Sequence, residues 1–361
     1  MEKGADVFTS LSLPILFALF VTAAVVVWIA GIQLSDTTDA LSSRFGFGQA
    51  LGGLLILSIA TNLPEIAITV SAALSHNLGI AIGNILGGIA IQTVVLVILD
   101  QFGVRQHHPL SYMAASLLLV LEGVLVVAVL TVVIIGNQLP ASLIVARVAP
   151  GGILILVLWL VGIWLLSKAR TDLPWQAKGD APGGQEPGDT DKARQQKGDA
   201  HKKKSTVRVL IVFLVAAGVT LVAGVVLEES GNAIAGHIGM SGILFGATFL
   251  AASTSIPEVS TGLASVKLGD YRLAFSDIYG GNAFLPVLFL VASLLSGQAV
   301  LPQAHNTDIY LAGLGILLTT VYLYGLIFRP RRQVLNMGVD SVVVLTLYVL
   351  GIVGLVAVAH G

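Results

Sequence analysis

The sequence predicts an all-α integral membrane protein of ten transmembrane helices, arranged as two five-helix repeats of inverted topology. Three observations lead there. The 361 residues are 55% hydrophobic and only 11% charged, with a mean hydropathy of +0.91, whereas a soluble domain carries about 25% charged residues. The apolar residues form continuous runs near the roughly 20 residues that a spanning helix needs, not the alternating pattern of a membrane barrel. An odd number of runs lies on each side of a single polar segment, so homologous halves would sit upside down relative to each other. The net charge of −1 implies no basic surface for nucleic acid, and the absence of cysteine excludes disulfides, thiolate metal sites and cysteine nucleophiles. Forty glycines suit closely packed membrane helices.

The first run, 11–33, is too long for a cleaved leader, and its flank MEKGAD mixes acids with one lysine. The second, 48–73, holds TNLPE, and the third, 79–101, holds the Gly87-Gly88 pair. The fourth, 111–136, has Glu122 at its middle, and the fifth, 149–168, is apolar throughout until Lys168. A polar stretch rich in Gly, Pro, Lys and Asp follows at 170–206 and reads as a disordered tether, because it has too little apolar surface to bury. The remaining runs are 207–228, 240–266, 272–296, 309–328 and 338–359. The expected organisation is therefore a first repeat at 1–169, a linker at 170–206 and a second repeat at 207–361.

Basic residues orient the chain. With the linker in the cytoplasm, seventeen of the nineteen lysines and arginines fall on that side, leaving Lys3 and Arg147 outside. Both termini then face away from the cytoplasm.

The halves align without gaps at an offset of 193. GLLILSIATNLPEIAI (53–68) lies over GATFLAASTSIPEVST (246–261), so Thr61, Pro64 and Glu65 meet Thr254, Pro257 and Glu258. GNILGGIA (83–90) lies over SDIYGGNA (276–283) in the same register.

Thr61, Asn62 and Glu65 share one helical face. Pro64 removes the hydrogen bond that the Ala60 carbonyl would accept, and so kinks the helix. The second repeat supplies the Ser253 carbonyl, Thr254, Ser255 and Glu258 in the same way. If the repeats face each other, two carboxylates meet at the bilayer centre among neutral oxygens, a donor set that suits Ca²⁺ and Na⁺. Such a charge can be balanced by one Ca²⁺, by Na⁺ ions or by protons. An intramembrane acid can instead be a structural hydrogen-bonding group, but two at matched positions after proline favour an ion pathway. Asn84 and Asp277 are matched polar residues on the neighbouring spans and join the candidate metal ligands. The Gly87-Gly88 and Gly280-Gly281 pairs permit close helix packing. Glu122 reads equally as a proton site or a neutral buried carboxyl, and Asp100, at a helix end, as a solvated acid. All seven histidines fall in loops or at helix ends, and no hydrolase motif lies within the spans, so no enzyme and no cofactor is expected.

This arrangement resembles the calcium/cation antiporter superfamily, most closely its sodium/calcium exchanger branch. That branch has two inverted five-helix repeats, each with a G-T-S-x-P-E motif in the second helix and G-N-x-x-G-S-N in the third. The resemblance implies exchange of extracellular Na⁺ for cytoplasmic Ca²⁺ at one midplane site, in the plasma membrane, by a single chain in a lipid bilayer. It also implies that spans one and six slide past the core to switch access. The chain departs from the pattern where Gly88 and Gly281 replace serine and where Gln92 and Leu285 replace Asn or Asp. Those departures, with the acids Asp277 and Glu122, keep open a proton-coupled divalent cation exchanger. An ion channel, or a membrane enzyme or ion sensor, is a more distant alternative.

Overall fold

The computed structural model describes residues 7–45, 59–104, 108–145, 147–171, 205–267 and 269–360. The first half of the expected second span, Arg105 and nearly all of the linker lie outside them.

Leu13–Phe45 (α1) is a 33-residue helix, longer than the apolar run alone suggests. Leu63–Leu74 (α2) starts one residue before the proline of the TNLPE motif, with Asn62 at its N-cap. Leu78–Gly103 (α3) follows. Leu110–Ala114 (α4) is a single short turn. Leu117–Asn137 (α5) begins after Ser116, whose hydroxyl caps it by accepting from the Leu119 N–H at 3.2 Å. The expected fourth span is thus broken near its start. Pro150–Thr171 (α6) ends the first half.

Thr206–Ile238 (α7) runs ten residues past the expected end of the sixth span. Its two acids do not stop the helix, because Glu228 is fully buried and satisfied: it accepts from Ser71 Oγ at 3.0 Å and Asn77 Nδ2 at 3.4 Å. The seventh run is a chain of short pieces: Gly242–Phe245 (α8), a π-helical turn at Gly246–Leu250, Ala251–Thr254 (α9) and Ile256–Lys267 (α10). Tyr271–Phe284 (α11) is separated from Leu288–Ser296 (α12) by a 3₁₀ turn at Leu285–Val287, where Pro286 cannot donate to the helix ladder. Asn306–Phe328 (α13) and Val339–His360 (α14) are joined by a two-stranded hairpin of Gln333–Val334 (β1) and Met337–Gly338 (β2).

The fold is all-α apart from this hairpin. Among the described residues eight helices are long and apolar enough to cross a membrane. The α2 helix, at 12 residues, and the segmented seventh run fall below that length. Large apolar side chains stay exposed along α7 (Leu214, Val215, Val222) and α14 (Val349, Leu350, Val353), as expected where lipid is the solvent.

Two large apolar clusters divide the described residues, and a small third pairs Leu41 of α1 with Val209 of α7. The larger surrounds α3 and draws on α5, α11 and α13. The smaller lies between α1 and α7 and reaches the rest through Ile68, Ala72, Phe245 and Leu250. The long pair α1 and α7 therefore packs as its own layer against α2 and α10. Glycine makes both contacts close. A Cβ at Gly31 would lie 2.7 Å from Pro257 Cβ, and one at Gly224 would lie 2.6 Å from Ala67 Cβ and 3.4 Å from the Pro64 carbonyl. These positions are 193 residues apart, the same offset as the motifs.

Candidate functional site: buried oxygens around two glutamates

Glu65 sits in the first turn of α2, immediately after the helix break, and is completely buried. The break positions it: Pro64 opens the helix, and the Asn62 carbonyl accepts from the Ile66 N–H at 3.0 Å. Gln92, on α3, donates its amide to both Glu65 Oε1 (3.3 Å) and Asn62 Oδ1 (3.2 Å). The hydroxyl of Thr254, from the other half of the chain, lies against the Glu65 carboxyl. Thr61 Oγ1 in turn donates to Asp277 Oδ1 at 3.4 Å, and Thr261 Oγ1 donates to Asp277 Oδ2 at 3.3 Å. Each motif is thus completed by the opposite half.

Glu258 occupies the matching turn of α10 and is also buried, but its surroundings differ. Neither of its oxygens has a hydrogen-bond partner, nor does Oε2 of Glu65. The charged groups that act on it are two further acids, Glu65 and Asp277. No lysine or arginine among the described residues donates to either glutamate. A buried carboxylate left in that condition is costly, so the pair requires a cation or a proton.

The remaining expected ligands divide. Asn84 is fully buried on α3 with both amide atoms unpartnered, which leaves its carbonyl oxygen available. The hydroxyls of Thr254 and Ser255 both lie within donating distance of the Ala251 carbonyl, at 3.1 and 2.8 Å, which leaves their oxygen lone pairs available. Among the described residues no three histidine or carboxylate groups converge closely enough to hold a metal alone. A cation beside Glu65 and Glu258 therefore needs the neutral oxygens to complete its shell.

The departures from the family pattern have visible consequences. At Gly281 a Cβ would lie 2.7 Å from Asn62 Nδ2 and 3.4 Å from Gln92 Oε1, so the absent side chain makes room for that amide pair. At Gly88 the nearest atom to such a Cβ is Leu285 Cδ1 at 3.5 Å. One wall of the site is amide and the other hydrocarbon. The Gln92 bridge was not foreseen from sequence, although an intramembrane glutamine is a signal of the same kind as an intramembrane acid.

Two acids lie apart from this group. Glu122, on α5, lines a small pocket with Trp159, Tyr279, Gly280 and Phe284. Asp100 is not solvated as expected. It is 1% exposed and accepts from the Leu110 N–H (2.8 Å), the Gly338 N–H (2.7 Å) and Ser341 Oγ (2.6 Å). The helix end is covered by the α13–α14 hairpin, which brings donors from the far end of the sequence.

Comparison with known proteins follows the same lines. A family model described as sodium/calcium exchanger protein matches residues 15–168 and 208–357, leaving out only the polar segment and the two ends. The inner membrane protein YrbG of Escherichia coli (strain K12) is 24% identical over 305 residues, covering 81% of this chain and 83% of YrbG. The putative antiporter CaxA of Alkalimonas amylolytica is 24% identical over 289 residues, covering 79% and 83%. Among solved structures, the H⁺/Ca²⁺ exchanger CAX matches with a TM-score of 0.67 at 13% identity, over 98% of this chain and 88% of that one. The sodium-calcium exchanger NCX_Mj matches with a TM-score of 0.57 at 17% identity, over 94% and 98%. At these identities the structural likeness is one of fold. The family match spans both halves of the chain, and the protein belongs to the sodium/calcium exchanger family of membrane cation antiporters.

Proposed function

We propose that this protein exchanges Na⁺ for Ca²⁺ across the plasma membrane by alternating access, at a midplane site built on Glu65 and Glu258. In this reading the chain has ten spans in two inverted repeats, with the 170–206 linker in the cytoplasm, and works as a monomer. The observation that carries it is the pair of buried glutamates in matched helix breaks, with three of their four oxygens lacking any donor. Thr61, Asn62, Asn84, Thr254, Ser255 and Asp277 complete the oxygen set. Two negative charges bind one Ca²⁺ or are neutralised by monovalent ions, so the competing occupants exclude each other. That exclusion at a single site couples the two fluxes. The layer formed by α1 and α7 is the element that alternates.

A second reading, coupling to protons, is favoured by the apolar wall. Leu285 offers no oxygen where an additional ion would sit, although the Gln92 oxygen, unlike its NH₂ group, is unpartnered. Fewer oxygens favour proton over Na⁺ as the counter-ion.

The test is Ca²⁺ uptake into liposomes holding purified protein, with an outward Na⁺ gradient or with a pH gradient alone. An outward Na⁺ gradient should drive uptake, and Glu65→Gln and Glu258→Gln should each abolish it. Uptake driven only by the pH gradient establishes the proton-coupled reading. Wild-type flux in both variants overturns the site.

A further inference from the structure

A second group of buried oxygens lies where the end of α3, the turn α4, the hairpin and the start of α14 meet. Asp340, in the first turn of α14, is 6% exposed. Neither of its carboxylate oxygens has a hydrogen-bond partner. Its carboxyl is wedged between Gly325 of α13 and Gly338 of β2, and a Cβ on either glycine would collide with an Asp340 oxygen. The same absent Cβ of Gly338 lies 3.3 Å from Asp100 Oδ2, so the two carboxylates share one cradle. Ser111, 1% exposed on α4, directs its hydroxyl at Asp340 without a hydrogen bond of ordinary geometry. The Tyr322 hydroxyl closes the far side, 3.1 Å from Ser341 Oγ.

The two aspartates are not equivalent. Asp100 is satisfied by its three donors and clamps the hairpin to α3. Asp340 has none of ordinary geometry, although the Ser111 hydroxyl and the backbone N–H groups of Asp340 and Ser341 lie against its carboxyl, and the nearby arginines supply no counter-charge. Arg329 and Arg331 lie over the Tyr112 ring at 5.2 and 5.5 Å, and Arg331 Nε donates to the Tyr112 hydroxyl. Leaving a carboxylate buried with no counter-charge costs several kcal/mol. The glycines on either side show that the space is shaped to admit this group.

We propose that Asp340, Asp100 and Ser111 form a second site for a hard divalent cation, separate from the midplane glutamates. Two carboxylates and a hydroxyl are oxygen donors of the kind that Ca²⁺ and Mg²⁺ accept, with water free to fill the remaining positions. Asp100 is eight residues beyond Gln92 on α3, about 12 Å along the axis, so this cation is not one in transit through the Glu65 site. Its placement on the cytoplasmic side rests on the orientation proposed above, but its existence does not. Bound there, the ion ties α14 and the hairpin to α3.

Equilibrium binding of Ca²⁺ alone to the purified full-length chain tests this at neutral pH. The Glu65→Gln/Glu258→Gln double variant should keep one Ca²⁺ per chain. Adding Asp340→Asn should weaken that binding at least tenfold while the elution profile stays unchanged and the Ca²⁺-free Tm does not fall, and Ser111→Ala should weaken it less. Should Asp340→Asn fail to fold, the Ser111→Ala loss in the double-variant background carries the test. A folded double variant that binds no Ca²⁺ overturns the proposal, as does a Ca²⁺ that persists in both Asp340→Asn and Ser111→Ala. An infrared band of a protonated carboxyl that disappears in Asp340→Asn also overturns it, since a proton then fills the role. Failure of the midplane reading looks different: flux survives in the glutamate variants, whatever the stoichiometry of binding.

Discussion

Gln92 and Leu285 occupy matched positions in the two repeats, and they make the two glutamates chemically unequal. The Gln92 amide holds Glu65 in place, whereas no side chain among the described residues donates to Glu258. A hydrogen bond to a charged group is worth about 1.5–3 kcal/mol, which is tenfold or more in an equilibrium constant. That bond stabilises the site when empty and competes with an arriving cation. Gln92→Leu should therefore lower the KM for Ca²⁺ about tenfold and reduce kcat, because release becomes slower. Initial-rate flux measurements over a range of Ca²⁺ concentrations check this, and a raised KM would make the Gln92 oxygen a ligand instead. Glu65 and Glu258 were legible in the sequence because an acid in an apolar run, twice, after proline, has few structural explanations. Asp100 was not. Its donors on Gly338 and Ser341 lie 238 and 241 residues away, and only the folded hairpin brings them to the end of α3.

Among the elements, helix interruptions locate the site and glycine contacts locate the interface that would have to slide. The sequence announced the break at Pro64 and Pro257, since proline removes a donor wherever it stands. It did not announce the π turn at Gly246–Leu250, which arises where α3 packs so closely that no Cβ fits at Gly87 against the Ala247 backbone. Nor did it show that Gly31 and Gly224 cross over, each lying on the Pro-Glu turn of the opposite half. Any motion of α1 and α7 must pass these two points. Gly31→Leu and Gly224→Leu each insert a side chain where even a Cβ would collide, and overpacking of this kind costs about 1–3 kcal/mol. We expect each to cut exchange more than tenfold while Ca²⁺ binding stays within threefold of wild type. Binding to purified protein and flux in liposomes, measured on the same preparations, separate the two effects. Equal losses of binding and flux would assign the glycines to folding and not to movement.

For the whole molecule, the all-α membrane character was readable from the continuous hydrophobic stretches, and eight of the ten expected runs form helices of spanning length among the described residues. The separation into a core around α3 and an outer layer of α1 and α7 was not readable, since lipid-facing and protein-facing residues are equally apolar. What the sequence carries instead is orientation. Its basic residues fall almost entirely in alternate connections, and the family match breaks at the same central segment that holds ten of them in or beside it. By the positive-inside rule that segment would lie in the cytoplasm and the end of α7 outside. The chain has no cysteine, so single introduced thiols report on sidedness without background. Thr190→Cys, in the central segment, should react with a membrane-impermeant maleimide only after the cells are opened. His237→Cys, exposed in the last turn of α7, and Ser142→Cys, exposed between α5 and α6, should react in intact cells. Because the two halves each contain an odd number of expected spans, the three positions are linked: reversing one requires reversing all if the inverted repeat is correct. Labelling of Thr190→Cys and His237→Cys from the same side would mean that the connection crosses the membrane an even number of times, and the two halves could not then be inverted copies.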